Sequence, residues 1–201
     1  MSRIKICGLF RPCDVDFVNQ AGPDWCGFVL NVPKSHRSLT PDQARALRAR
    51  LDSAIVPVGV FVDQPVEEVA ALLRDGTIQV AQLHGQEDEG YLATLRALAP
   101  GREVWRAFQV RAAADLERAA RFPADRIVLD SGQGSGKPFN WALLRGFPRP
   151  YLLAGGLTPE NLRTAVRTLR PFGVDLSSGV ECQGCKDQEK ILAAVRAARE
   201  E

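Results

Sequence analysis

Short apolar and β-branched runs alternate with segments of helical period from one end of the chain to the other. The runs Arg3–Cys7, Trp25–Leu30, Ile55–Val62, Ile78–Gln82, Glu103–Gln109, Arg126–Asp130, Tyr151–Ala154 and Val174–Ser177 predict eight strands. Between them lie Ala-, Leu-, Arg- and Glu-rich stretches such as Thr40–Leu51, Val66–Arg74, Glu87–Leu98 and Pro159–Leu169, and Asp187–Arg199 follows the last strand. Thr40-Pro41-Asp42 and Thr158-Pro159-Glu160 each set a capping hydroxyl before a first-turn proline, which marks a helix start. Parallel strands need crossover helices of one hand. Eight such units at about 25 residues each close most naturally into a ring. The predicted fold is α/β, a single-domain (βα)8 TIM barrel over residues 1–201. The competing architecture is an open doubly wound sheet. It usually places a Gly-x-Gly-x-x-Gly turn after its first strand, where this chain reads Cys7-Gly8-Leu9.

Composition narrows the function classes. The 26 basic and 24 acidic residues nearly cancel, and they are interleaved rather than gathered into a stripe, so no nucleic-acid partner is expected. No apolar run approaches the roughly 20 residues of a membrane span. The opening Met1-Ser2-Arg3-Ile4-Lys5-Ile6 lacks the apolar stretch of a signal peptide, and the expectation is a cytoplasmic chain. Five cysteines, an odd and sparse set, read as reduced thiols rather than a disulfide framework. Cys182-x-x-Cys185 has no second pair at zinc-site spacing, so no metal is expected.

In a barrel of this kind the chemistry sits at the C-terminal ends of the strands. Those ends carry Cys7-Gly8, the loop Asn31–Ser38, Gln82-Leu83-His84-Gly85, Asp130 with the Gly- and Ser-rich Ser131–Lys137, Ala154-Gly155-Gly156-Leu157, and Asp175-Leu176-Ser177-Ser178-Gly179. Glycines and serines at two adjacent strand ends expose backbone N–H groups and hydroxyls to an anion, so Gly155, Gly156, Ser177 and Ser178 are candidate phosphate ligands. Tight turns would explain the glycines equally well one loop at a time. Alternation on strand 1 puts Lys5 and Cys7 on one face and Ile4 and Ile6 on the other. With the isoleucines toward the helices, Cys7 points into the barrel and faces Asp130 across the mouth. A thiol and a carboxyl so placed suit the two halves of a proton transfer. A buried small hydrophobe and a turn residue are the competing roles for the two.

Lys5-Ile6-Cys7-Gly8-Leu9, Gln82-Leu83-His84-Gly85, Leu129-Asp130 with Phe139-Asn140-Trp141, Ala154-Gly155-Gly156-Leu157 and Val174–Glu181 together resemble the phosphoribosylanthranilate isomerase family of tryptophan biosynthesis. The motifs occur in order across nearly the whole chain. The resemblance implies an Amadori rearrangement of N-(5-phosphoribosyl)anthranilate to 1-(2-carboxyphenylamino)-1-deoxyribulose 5-phosphate. It implies no cofactor, a small-molecule substrate as the partner, and a monomer or homodimer. It also implies that Cys7 is the general base, Asp130 the general acid, and Arg37 the partner of the anthranilate carboxylate. Gly155, Gly156, Ser177 and Ser178 would hold the phosphate, and Asp175 counts with the substrate-binding residues.

Free thiols titrate near 8.5 and free aspartic acids near 3.9, so both roles need help from the surroundings. Lys5 is expected to favour the Cys7 thiolate by its charge, and the substrate phosphate with apolar walls to favour protonated Asp130. His84 is expected to support the strand-4 end by hydrogen bonding, and His36 to lie in a solvated loop. The chain departs from the family pattern at Phe10, where Thr is usual, at Ser35-His36-Arg37-Ser38, and at Cys182-Gln183-Gly184-Cys185. Other readings of the fold fit less well. A metal-dependent epimerase needs more histidines than the two present. An indole-glycerol-phosphate synthase relative needs a Lys acid inside the barrel, for which Lys5 is the obvious candidate. A thiol hydrolase needs a base beside Cys7, and His84 lies far round the ring. A non-catalytic phosphosugar-binding barrel differs only by assay.

Overall fold

The computed structural model describes residues 2–130 and 141–200. Eight parallel strands form the ring: β1 Arg3–Cys7, β2 Trp25–Leu30, β3 Val56–Phe61, β4 Val80–Leu83, β5 Glu103–Gln109, β6 Arg126–Asp130, β7 Tyr151–Ala154 and β8 Gly173–Leu176. Each pairs with the next, and β1 closes the ring by pairing with both β2 and β8. The predicted strands are all present, with ends displaced by one or two residues.

Helices α1 Pro12–Ala21, α2 Pro41–Arg48, α3 Val66–Arg74, α4 Glu89–Leu98, α5 Ala113–Arg121, α6 Pro159–Leu169 and α7 Gln188–Arg199 surround it. The start of α2 follows the predicted chemistry. Thr40 Oγ1 accepts from the Gln43 amide, and the Gln43 side chain accepts from the Thr40 amide, with Pro41 in the first turn. Asp88 and Asp187 cap α4 and α7 in the same sense. The expectation of eight strand–helix units needs one correction. Among the described residues the sixth unit holds a single 3-10 turn, Trp141–Leu144, in place of an α-helix. Pro148 and Pro150 follow within a few residues and deny helix continuation. Two further short elements stand where only loops were expected. Ser38–Leu39 adds to β2 in parallel, and Glu181–Cys182 pairs with Cys185–Lys186 as an antiparallel hairpin.

The alternation on β1 sorts the core into two layers. Ile4 and Ile6 join Val174, Leu176, Ala194 and the inward faces of the helices in the outer layer. Trp25, Val58, Val80, Trp105, Val128 and Leu152 fill the inside of the ring. A side chain of this size contributes about 1.5–3 kcal/mol on full burial, so both layers hold the strands in register. Trp25 and Trp105 meet edge to face at 5.2 Å, while Arg3 and Arg126 cover the Phe172 ring at 4.9 and 4.2 Å. The N-terminal end of the ring is thereby packed shut. Among the described residues the C-terminal end stays open. Among the described residues no helix is long and apolar enough to cross a membrane.

Candidate active site

A cavity of about 380 Å³ opens at the C-terminal ends of the strands. Every site residue expected from the sequence lines it: Cys7, Arg37, Asp130, Gly155, Gly156, Asp175, Ser177 and Ser178. The Gly- and Ser-rich segment 131–137 and the pair Phe139–Asn140 lie outside the described residues.

Cys7 ends β1 with its side chain inside the ring, as the alternation requires. Gly27 on β2 makes this possible, because a Cβ there would stand 2.7 Å from Cys7 Sγ and 3.0 Å from Cys7 Cα. Two positions earlier, Lys5 is fully buried and its Nζ donates to Asp175 Oδ2 at 2.8 Å. The other oxygen, Asp175 Oδ1, is buried and accepts no hydrogen bond among the described residues. Burial raises the Cys7 pKa above the ordinary thiol value, Lys5 pulls it down, and Asp175 pushes it up again. Lys5 therefore acts on the thiol in the expected direction without overcoming desolvation. Burial also works against the Lys5 ammonium, but Asp175 and Cys7 outweigh it and raise its pKa.

Arg37 reaches the cavity from the β2 loop, past Gly8. A Cβ on Gly8 would stand 2.5 Å from Arg37 Cδ, and Gly8 also holds φ at +80°, which an L side chain rarely adopts. The Arg37 guanidinium donates through Nε and Nη2 to Glu181 Oε1 and Oε2 at 2.7 and 2.6 Å. Lys186 Nζ donates to the same Glu181 Oε1 at 2.5 Å and to the Ser177 carbonyl at 3.0 Å. Burial would raise the Glu181 carboxyl, but Arg37 and Lys186 hold its pKa down at about 2. The pair Glu181 and Lys186 carries no role in the sequence reading. Glu181 enters it only as the end of the run Val174–Glu181, and nothing local marks Lys186.

The anion-facing rim is built from the last two strand ends. Gly155 and Gly156 adopt φ of 87° and 64°, a turn that leads into α6. The Asn161 side chain holds that turn by donating to the Gly156 carbonyl at 2.8 Å. Ser178 opens a 3-10 turn beside it. The turn before α6 and the 3-10 turn at Ser178 thus line the same cavity. The Ser177 hydroxyl donates to the Cys7 carbonyl at 3.1 Å and ties β8 to β1.

Asp130 ends β6 across the mouth, with His84 Nε2 at 3.6 Å from Asp130 Oδ2. That distance is longer than a hydrogen bond, so His84 neighbours Asp130 without bonding to it at this contact. Val29, Val60 and Val128, inward on β2, β3 and β6, form an apolar wall, with Val62 exposed at its rim. Gln82 lines the same cavity with Oε1 buried and without a hydrogen-bond partner among the described residues. The period of two places Val29, Val60 and Val128 inward, Val128 on the face of Asp130, and Gln82 enters the sequence reading only within the run Gln82–Gly85, without a role of its own. His36 Nε2 lies 3.1 Å from the Gly184 carbonyl, so the loop histidine touches the hairpin. Cys182 and Cys185 oppose each other in that hairpin as free thiols. Among the described residues no three His, Cys, Asp or Glu side chains group as a metal would require.

Comparison with known proteins agrees with this geometry. The family model described as N-(5'-phosphoribosyl)anthranilate (PRA) isomerase matches residues 4–197. A relative of that name from Endomicrobium trichonymphae is 43% identical over 204 residues, covering 99% of each chain. The crystal structure of phosphoribosyl anthranilate isomerase from Thermotoga maritima superposes with a TM-score of 0.87 at 36% identity, covering all of both chains. A phosphoribosyl anthranilate isomerase in complex with reduced 1-(o-carboxyphenylamino)-1-deoxyribulose 5-phosphate gives the same score at 35% identity, again covering all of both chains. With a closed barrel, a mouth lined by the expected residues, and similarity along its full length, the chain belongs to the N-(5'-phosphoribosyl)anthranilate isomerase family.

Proposed function

We propose that the cavity binds N-(5'-phosphoribosyl)anthranilate and isomerises it to 1-(2-carboxyphenylamino)-1-deoxyribulose 5-phosphate, with Asp130 as general acid and Cys7 as general base. The observation that carries this reading is the order of groups round a single cavity. Gly155, Gly156 and Ser178 line one part, Cys7 and Asp130 end β1 and β6, and a valine wall with Arg37 lines the rest. A phosphate, a ribose and a carboxylated ring ask for these surfaces in this order. The relative crystallised with the reduced product holds a molecule of that composition.

In the first step Asp130 gives its proton to the ring oxygen of the ribose. The C1–O bond breaks, and the nitrogen lone pair forms the C1=N bond of a Schiff base. In the second step Cys7, as thiolate, takes the proton from C2, and that electron pair moves to make C1=C2 while the nitrogen recovers its own. The resulting enolamine tautomerises to the C2 ketone. Carbon 1 is reduced and carbon 2 oxidised within one molecule, so no external oxidant, metal or cofactor enters the balance.

The test is turnover, followed by loss of anthranilate fluorescence, in Cys7→Ala and Asp130→Asn. Removing a general acid or base costs about 10²–10⁴ in rate. Losses of that size, with binding of the reduced product analogue retained, support the assignment. Either variant running at the wild-type rate overturns that residue's role.

A further inference from the structure

The guanidinium proposed to grip the substrate's carboxylate already holds a carboxylate of the protein. Glu181 takes the side edge of Arg37, Nε and Nη2. A guanidinium has five N–H bonds, so two on Nη1 and one on Nη2 have no partner among the described residues, and one from each of these nitrogens forms the end edge. Arg37 lines the cavity while Glu181 does not, so the end edge is the one left to a ligand.

Charge makes the arrangement informative. Arg37 and Glu181 alone sum to zero, and a second carboxylate arriving there would meet no net attraction. Lys186 changes the sum. Its buried ammonium lies 2.5 Å from Glu181 Oε1, so the three groups together carry one positive charge. We propose that Glu181 and Lys186 are paired positioning residues. Glu181 aims the end edge of Arg37 into the cavity, and Lys186 neutralises Glu181 so that the Arg37 charge stays available to a carboxylate on the substrate's aromatic ring. This inference rests on the reading that Arg37 meets that carboxylate.

The backbone is built to hold the pair. Glu181 and Lys186 are directly opposite in the hairpin, and Gln183 and Gly184 in its two-residue turn both have positive φ, 51° and 77°. Two such residues make the turn that matches the twist of a tight hairpin, which fixes the register of the flanking pair. His36, next to Arg37, touches the Gly184 carbonyl, so the β2 loop and the hairpin are joined at a second point. Lys186 also supports the Ser177 carbonyl, a purely structural duty that the test must separate from the electrostatic one.

The experiment measures binding of two ligands by calorimetry: the reduced product analogue, and its phenylamino counterpart lacking the carboxylate. Lys186→Met should weaken the carboxylated ligand by about 10- to 100-fold, the scale of a hydrogen-bonded charge interaction, and leave the other nearly unchanged. Adding Glu181→Gln to Lys186→Met restores the positive charge and should recover most of the loss. A structural support lost with Lys186 would stay lost in the double variant. Equal weakening of both ligands, or a double variant no better than the single, overturns the proposal. Should Lys186→Met not fold, Glu181→Gln alone decides. The substituted amide still accepts from Arg37 through its oxygen and keeps the aim while the negative charge is gone, so the preference for the carboxylated ligand should rise, and a fall overturns the proposal. A wild-type protein with no preference between the ligands refutes the carboxylate reading of Arg37 itself. A wild-type preference that no charge variant alters refutes the pair alone.

Discussion

Lys5 and Asp175 stand opposite each other on the two strands that close the ring, Nζ to Oδ2 at 2.8 Å, with the lysine fully buried. The pair lies directly beneath Cys7, and its charges reach the thiol with opposite effect. Removing the lysine would leave a buried carboxylate without its partner, which typically costs about 3–5 kcal/mol. Lys5→Met is therefore expected to lower the urea midpoint sharply. An unchanged midpoint would mean the pair contributes nothing net.

The same variant reports on the thiol. Iodoacetamide labelling of the Cys7 peptide, followed by mass spectrometry against pH, should titrate above the ordinary thiol value near 8.5 in the wild type. In Lys5→Met it should titrate higher still, because the cation favouring the thiolate is gone. If thiolate carries the reaction, kcat/KM of the wild type rises through the same alkaline range. Coincident labelling curves for the two proteins would remove Lys5 from the account of Cys7.

Gly27→Ala places a methyl 2.7 Å from Cys7 Sγ. Overpacking of this kind costs about 1–3 kcal/mol, and here the atom displaced is the proposed base. Activity should fall further than stability does, with kcat more affected than KM. A variant of wild-type turnover would show that Cys7 tolerates displacement.

His84 touches Asp130 only at 3.6 Å and its side chain is about a third exposed. Pairs so exposed contribute about 0.2–1 kcal/mol, so His84→Ala should cost about fivefold or less in kcat/KM. A loss of 10² or more would place His84 in the proton transfer rather than beside it.

Acid stability follows from Glu181. Its folded-state pKa is about 2, below its ordinary value of 4.5. A depressed carboxyl stabilises the folded state above the unfolded pKa and loses that contribution as pH falls toward the folded one. Denaturation in urea should therefore show stability declining between about pH 4.5 and 2, with a shallower decline in Glu181→Gln. Parallel pH profiles would show that Arg37 and Lys186 do not stabilise the ionised form.

Much of the site was legible in the residues because barrel geometry converts local pattern into position. The alternation at Lys5, Ile6 and Cys7 assigned an inward thiol, and the Gly-Gly and Ser-Ser-Gly runs assigned an anion-facing rim. The valine wall obeys the same alternation at Val29, Val60 and Val128, but apolar residues inside strands read equally well as packing. Glu181 and Lys186 flank a short hairpin made in part by Cys182 and Cys185, a segment without apolar periodicity. Nothing local distinguishes a buried ion pair there from two solvated charges.

The amino-acid order alone determined the strand count, the faces of those strands and many of the side chains at the mouth, because periods of 2 and 3.6 are properties of neighbouring residues. Tertiary structure decided the partners. Lys5 meets Asp175 across 170 residues and Arg37 meets Glu181 across 144, and both meetings exist only because the first and last strands are joined when the ring closes. Which charge is spent and which remains for a ligand depends on distances between segments remote in sequence, and a short-range pattern carries no information about those distances.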